Sequence, residues 1–157
     1  MRAMGVSHIA VCVHDLERSL GFYRDILGMK VKMQATQQMA RRPGAESAEM
    51  YRSRHEARTV ANVWFEGPNG EEVAPFLVLT SHPGDNIVGE SIKLDQIGIS
   101  HISFTVDDVA SVAAELEAKG VPLAGKLADF TNDEGVVRTI FGYDPDGILV
   151  QFDEGPR

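Results

Sequence analysis

Two histidines carry the strongest chemical signal in this chain. His8 and His101 hold equivalent places in a repeated stretch, Ser7-His8-Ile9-Ala10-Val11-Cys12-Val13-His14-Asp15-Leu16 and Ser100-His101-Ile102-Ser103-Phe104-Thr105-Val106-Asp107-Asp108-Val109. A neutral imidazole is a common ligand for a divalent cation, and a bound cation can polarise a carbonyl or a pair of vicinal oxygens. The competing reading makes each histidine an interior polar residue satisfied by its surroundings. A single histidine in a strand would favour that reading, whereas a matched pair at equivalent positions of a repeat favours coordination. His14, His55 and His82 lack such a match and read as surface residues beside a cap, in an insertion and in a linker.

The elements that must position the pair follow from hydropathic alternation. Ile9, Val11 and Val13, and again Ile102, Phe104 and Val106, recur with the period of a half-buried strand. His8 and His101 therefore share the opposite face, away from the helix-packing side. Asp15 and Asp108 follow as N-caps, each opening an amphipathic helix, Asp15 to about Leu27 and Asp108 to Lys119, which Gly28 and Gly120 close. Further strands are expected at Met29 to about Gln38 (regular only in its first half), Thr59–Phe65, Val73–Thr80, Val136–Phe141 and Ile148–Asp153. A short one is expected near Val121–Leu123 or Gly125–Ala128. Pro75 hints that its strand lies near an edge or begins there.

A duplication on this scale implies an α+β fold of two tandem βαβββ modules, whose curved mixed sheet surrounds a cavity. The chain reads as one domain, 1–157: module one at about 5–80 with an insertion at 40–58, a linker at 81–98, and module two at about 99–153. The insertion carries Arg41, Arg42, Arg52, Arg54 and Arg58 in an otherwise acidic protein, and reads as a loop with a short helix. As a lid it would set guanidinium groups over an anionic substrate. The spacing favours a solvated helix, its arginines paired with Glu46, Glu49 and Glu56.

Composition excludes several classes. A net charge of -8 repels nucleic acid and anionic membrane surfaces, and no apolar run approaches the roughly 20 residues of a membrane span. The single cysteine, Cys12, cannot form an internal disulfide and reads as a small hydrophobe on an interior strand. A cytoplasmic metabolic protein with a small-molecule substrate is the expectation.

The same residues resemble the vicinal oxygen chelate superfamily, which includes glyoxalase I, methylmalonyl-CoA epimerase, extradiol dioxygenases and the fosfomycin and bleomycin resistance proteins. The resemblance rests on Ser7-His8-Ile9, Asp15-Leu16, Phe22-Tyr23-Arg24-Asp25-Ile26-Leu27-Gly28-Met29, Ser100-His101-Ile102 and Asp144-Pro145-Asp146-Gly147-Ile148-Leu149-Val150-Gln151. It implies a divalent metal (iron, nickel, zinc, manganese or cobalt) held by His8, His101 and Gln151, the last standing where the family usually has glutamate. It also implies a homodimer and chemistry of the lyase, isomerase or dioxygenase type. The fourth ligand is missing, because Ala74, Phe76 and Val78 offer no donor. Asp153 shares the strand face of Gln151, but the motif does not make it a ligand. No general base stands out: Glu66 and Glu72 read as rim residues and Tyr143 as packing, so no catalytic residue is assigned. The rival reading is a metal-free binding protein that sequesters an aromatic molecule against Trp64, Phe65 and Phe76, and a scaffold with a filled cavity is a third.

Overall fold

The computed structural model describes residues 2–45, 47, 49–84 and 87–155, which divide into two compact units, Met1–Val88 and Gly89–Arg157. The first contains β1 (His8–Cys12), α1 (Leu16–Tyr23), β2 (Lys30–Gln38), β3 (Ala57–Glu66) and β4 (Glu72–Ser81). The second contains β5 (His101–Thr105), α2 (Val109–Ala118), β6 (Thr139–Tyr143) and β7 (Leu149–Asp153). The fold is α+β, with one mixed sheet of four strands and one of three.

In the first unit the sheet order is β1-β4-β3-β2, with β1 parallel to β4 and the other pairs antiparallel. Alternation sends Val11, Val63, Leu77 and Leu79 to one face, where they are buried together with Leu16, Leu20, Phe22 and Tyr23 of α1. Asp15 starts the helix as expected, its carboxylate accepting the Arg18 N–H at 2.8 Å. The helix stops at Tyr23, short of the expected Leu27. There the carbonyl of Phe22 accepts from both Ile26 and Leu27 in a widened last turn, and Gly28 makes the reversal at φ 74°.

Three expectations are corrected in this unit. β2 continues to Gln38 despite its polar sequence, because every residue from Met33 to Gln38 finds a ladder partner on β3 and an edge strand tolerates exposed polar side chains. Pro75 marks neither an edge nor a strand start, since β4 begins at Glu72 and lies between β1 and β3. Its missing N–H falls where the β3–β4 register slips between Val63 and Phe65 and before the pairing with β1 begins at Phe76, so no ladder bond is lost. The expected helix of the insertion is absent among the described residues, which form turns after a 3-10 turn at Met39–Arg41. Glu46, expected to pair with the insertion's arginines, lies outside the described residues, as does the Arg41 side chain.

The second sheet has the order β5-β7-β6, again with its first strand parallel to its neighbour. Phe104, Ile140, Val150 and Phe152 are buried on the face shared with Val109, Ala113 and Leu116 of α2. Asp108 caps that helix by accepting from Ala110 N–H at 2.9 Å, Ser111 N–H at 3.2 Å and the Ser111 hydroxyl at 2.6 Å. The expected short strand is reduced to a single bridge, Leu123 to Gly142, followed by a 3-10 turn at Leu127–Phe130. Pro122 can accept but not donate there: its carbonyl receives the Tyr143 N–H at 3.1 Å. Gly142 permits the approach, since a Cβ at that position would meet the Pro122 oxygen at 3.3 Å.

Candidate functional site

Each histidine is held by the serine that precedes it. Ser7 Oγ lies 3.0 Å from His8 Nδ1, and Ser100 Oγ lies 2.9 Å from His101 Nδ1. A hydroxyl at Nδ1 can fix ring orientation and tautomer, and it leaves Nε2 of each imidazole as the nitrogen for a cation. The duplication therefore reproduces a histidine together with the group that orients it. Both rings also sit beside an aromatic, His8 with centroids 5.4 Å from Phe76 on the adjacent β4 and His101 5.4 Å from Phe141 on β6, two strands over.

Strand register gives the internal correspondence of the two units. His8 pairs with Phe76, Ala10 with Val78 and Cys12 with Thr80; His101 pairs with Leu149, Ser103 with Gln151 and Thr105 with Asp153. Gln151 thus lies on the same sheet face as His101, one strand over and two residues along, and its counterpart in the first unit is Val78. The turn that sets this register is built by Asp144, whose buried carboxylate accepts the N–H groups of Asp146 at 2.9 Å and Ile148 at 2.8 Å. Gln151 Nε2 donates to Thr139 Oγ1 at 2.7 Å, which leaves the amide oxygen as the atom able to meet a cation. Asp153 accepts the Gly155 N–H at 2.7 Å. Glu72 lies at the exposed end of β4 beside Lys32, at 3.4 Å, in keeping with a rim residue.

The donors named from the sequence are two imidazoles and one amide oxygen, His8 in the first unit and His101 and Gln151 in the second. No group of three His, Cys, Asp or Glu side chains able to hold a metal occurs among the described residues. An imidazole Nε2 suits a borderline cation such as nickel, zinc or ferrous iron, and none of these three donors would bring a charge to offset one.

The face of the first sheet that carries His8 opens into a cavity of about 610 Å³ lined by Ala10, Cys12, Val60, Asn62, Phe76, Val78 and Thr80, among others. Cys12 is exposed in it rather than packed in the core, because it shares the parity of His8. Phe76, which lines the cavity, stacks on Trp64 with centroids 4.1 Å apart and planes 17° from parallel. The insertion contributes Arg42, Arg52, Arg58, Tyr51 and His55; Arg42 and Arg58 are half-buried, against the solvated-face reading for those two, while Arg52 is exposed. Burial, and then the charge of Arg42, pull the Arg58 guanidinium below its ordinary value, with Tyr51 acting in the opposite sense. His82, expected at the surface, is 9% exposed, and its ring lies 4.0 Å from that of His55. The parity of Phe76, Val78 and Thr80, continued one step, was the signal for it. In the second unit Phe130, Phe141, Tyr143 and Leu149 line a separate cavity of about 510 Å³, so Tyr143 borders open space as well as the turn.

A family model, the Glyoxalase/Bleomycin resistance protein/Dioxygenase superfamily, matches residues 5–152. A lactoylglutathione lyase of Schizosaccharomyces pombe is 29% identical over 161 residues, covering 96% of this chain and 47% of that protein. The chain thus spans about half the length of the curated relative it matches. Among solved structures, the trypanothione-dependent glyoxalase I of Leishmania major is similar at a TM-score of 0.62 and 25% identity, over 97% of this chain and 88% of that one. A glyoxalase family protein of Bacillus cereus superposes at a TM-score of 0.71 with 16% identity, over 97% and 94% of the two chains.

Proposed function

This chain belongs to the glyoxalase, bleomycin resistance protein and dioxygenase superfamily, and from that premise we propose that it is a metal-dependent enzyme of the glyoxalase type acting on a small oxygenated metabolite. The observation that carries the proposal is the matched pair of serine-held imidazoles, Ser7–His8 and Ser100–His101. A residue needed only to fill a sheet face has no reason to appear twice with the same partner on the same nitrogen. His8 and His101 would hold the cation through Nε2, and Gln151 through its amide oxygen. When bound, such a cation supplies Lewis-acid polarisation of a carbonyl or of vicinal oxygens.

The chain's own residues define the rest. Ser7 and Ser100 keep the rings in one orientation. Thr139 holds the Gln151 amide by its nitrogen. Phe76, stacked on Trp64, gives the His8 end of the cavity an apolar wall that can exclude water from a bound carbonyl. The relative's name points to a thiol conjugate as substrate. A direct test is turnover of lactoylglutathione, followed in both directions through its thioester, by chain loaded in turn with nickel, zinc, manganese or ferrous iron. Metal-stimulated turnover abolished by His8→Ala and by His101→Ala is expected; turnover unaffected by either change contradicts the proposal.

One observation favours a second reading, a metal-free protein that binds an aromatic molecule. Phe76, stacked on Trp64, lines a cavity that offers a cation no carboxylate among the described residues. Fluorescence of Trp64, the one tryptophan, reports on this reading: quenching by aromatic ligands that metal removal leaves untouched supports it.

A further inference from the structure

The reading above leaves the arginine-bearing insertion without a role. In a chain with 23 acidic residues against 15 Lys and Arg, the cavity of the first unit is lined by Arg42, Arg52 and Arg58, and by no Asp or Glu among the described residues. His55 and His82 border the same space. Cations gathered without a counter-charge repel one another and raise the local potential, an arrangement that favours an incoming anion. Arg58 Nε donates to Gln37 Oε1 at 2.8 Å, which anchors the guanidinium and leaves its terminal nitrogens as a two-pronged donor.

Register separates this cluster from the His8 end. His8 lies opposite Phe76, whereas Thr59, the neighbour of Arg58, lies opposite Ser81, the neighbour of His82. The six steps from Phe76 to His82 span roughly 20 Å at strand rise, a separation that long arginine side chains reaching back along the cavity reduce. We propose that the end of the cavity formed by Arg42, Arg52 and Arg58 is an anion-recognition site, taking the carboxylate or phosphate terminus of an elongated substrate whose oxygenated end lies beside His8 and Phe76. This deepens the proposed function by naming the substrate class of the same cavity. The anionic terminus fixes the substrate lengthwise, and charge-assisted, bidentate bonds give it orientation as well as affinity.

The test is calorimetric titration of the full chain, in low salt and without added metal, with inorganic phosphate and separately with acetate. Binding is expected, weakened about tenfold by Arg42→Gln and by Arg58→Gln, with Arg138→Gln, an exposed arginine of the second unit, unchanged. If loss of the Gln37 bond unfolds Arg58→Gln, the exposed Arg52→Gln variant carries the test, with the same weakening expected. A preference for phosphate assigns a phosphoryl terminus, and a preference for acetate a carboxylate. Binding of neither anion, or equal binding by all variants, overturns the proposal. His8→Ala should still bind the anion, so failure of the metal reading and failure of this one are separately visible.

Discussion

Gln151→Glu offers a quantitative test of the donor set. The substitution exchanges an amide for a carboxylate of the same shape on β7, and Thr139, 2.7 Å from the amide nitrogen, can turn its hydroxyl to donate to the new oxygen. Little local stability should be lost. The gain is the attraction between a unit negative charge and a divalent cation. With the carboxylate charge centred about 3 Å from the metal and the fully screened dielectric of water, 332 × 2/(80 × 3) gives about 2.8 kcal/mol, or roughly a hundredfold in Kd. Gln151 is half-buried, so screening is no stronger than assumed. Nickel or zinc titration against a competing chelator measures the change. Unaltered or weaker affinity in Gln151→Glu would refute the placement of this side chain at the cation, even if both histidines bind it. Val78→Glu, at the counterpart position in the first unit, should also tighten binding if the two sheets offer equivalent faces to one cation.

Three further outcomes follow from the geometry. Ser7→Ala and Ser100→Ala should each weaken metal affinity by about tenfold or more without changing the melting temperature, because they act on ring orientation; the chelator competition reads this directly. The Asp108 carboxyl is held below the ordinary carboxylate range, chiefly by the Ser111 hydroxyl and then by the Ser111 N–H. A lowered folded-state value means the cap's contribution is complete above the unfolded value and is lost as pH falls through the folded one. Thermal melts of Asp108→Asn should therefore show a shallower decline than the parent below about pH 4. Leu79→Ala, at a fully buried position behind the cavity floor, should cost about 2–5 kcal/mol in urea unfolding, whereas Val78→Ala on the cavity face should cost far less.

The sequence was most informative where local chemistry and alternation agreed. The strands at His8 and His101, their Asp caps and the Asp144 turn are each specified within a few residues, and the structure has them all. The pairing of Ser7 and Ser100 with the histidine rings was visible only as repeated Ser-His letters, since a hydrogen bond between adjacent side chains has no periodicity. The insertion misled for a different reason. Its arginines stand near glutamates in sequence, which suits a helix, but the described residues there form turns, and Arg42, Arg52 and Arg58 line the cavity. Pro75 misled because a missing donor can be absorbed by a register slip as well as by an edge. The sheet edges of the first unit are β1 and β2. Among the described residues no helix is long and apolar enough to cross a membrane.

The central claim is that His8 and His101 serve one cation. Metal content after dialysis, read by elemental analysis and followed by nickel titration, tests it on the parent chain, His8→Ala, His101→Ala and the double variant. The account predicts one tightly bound cation per chain in the parent, and a loss in each single variant as large as in the double. Independent, additive losses, or full metal content in either single variant, would contradict it.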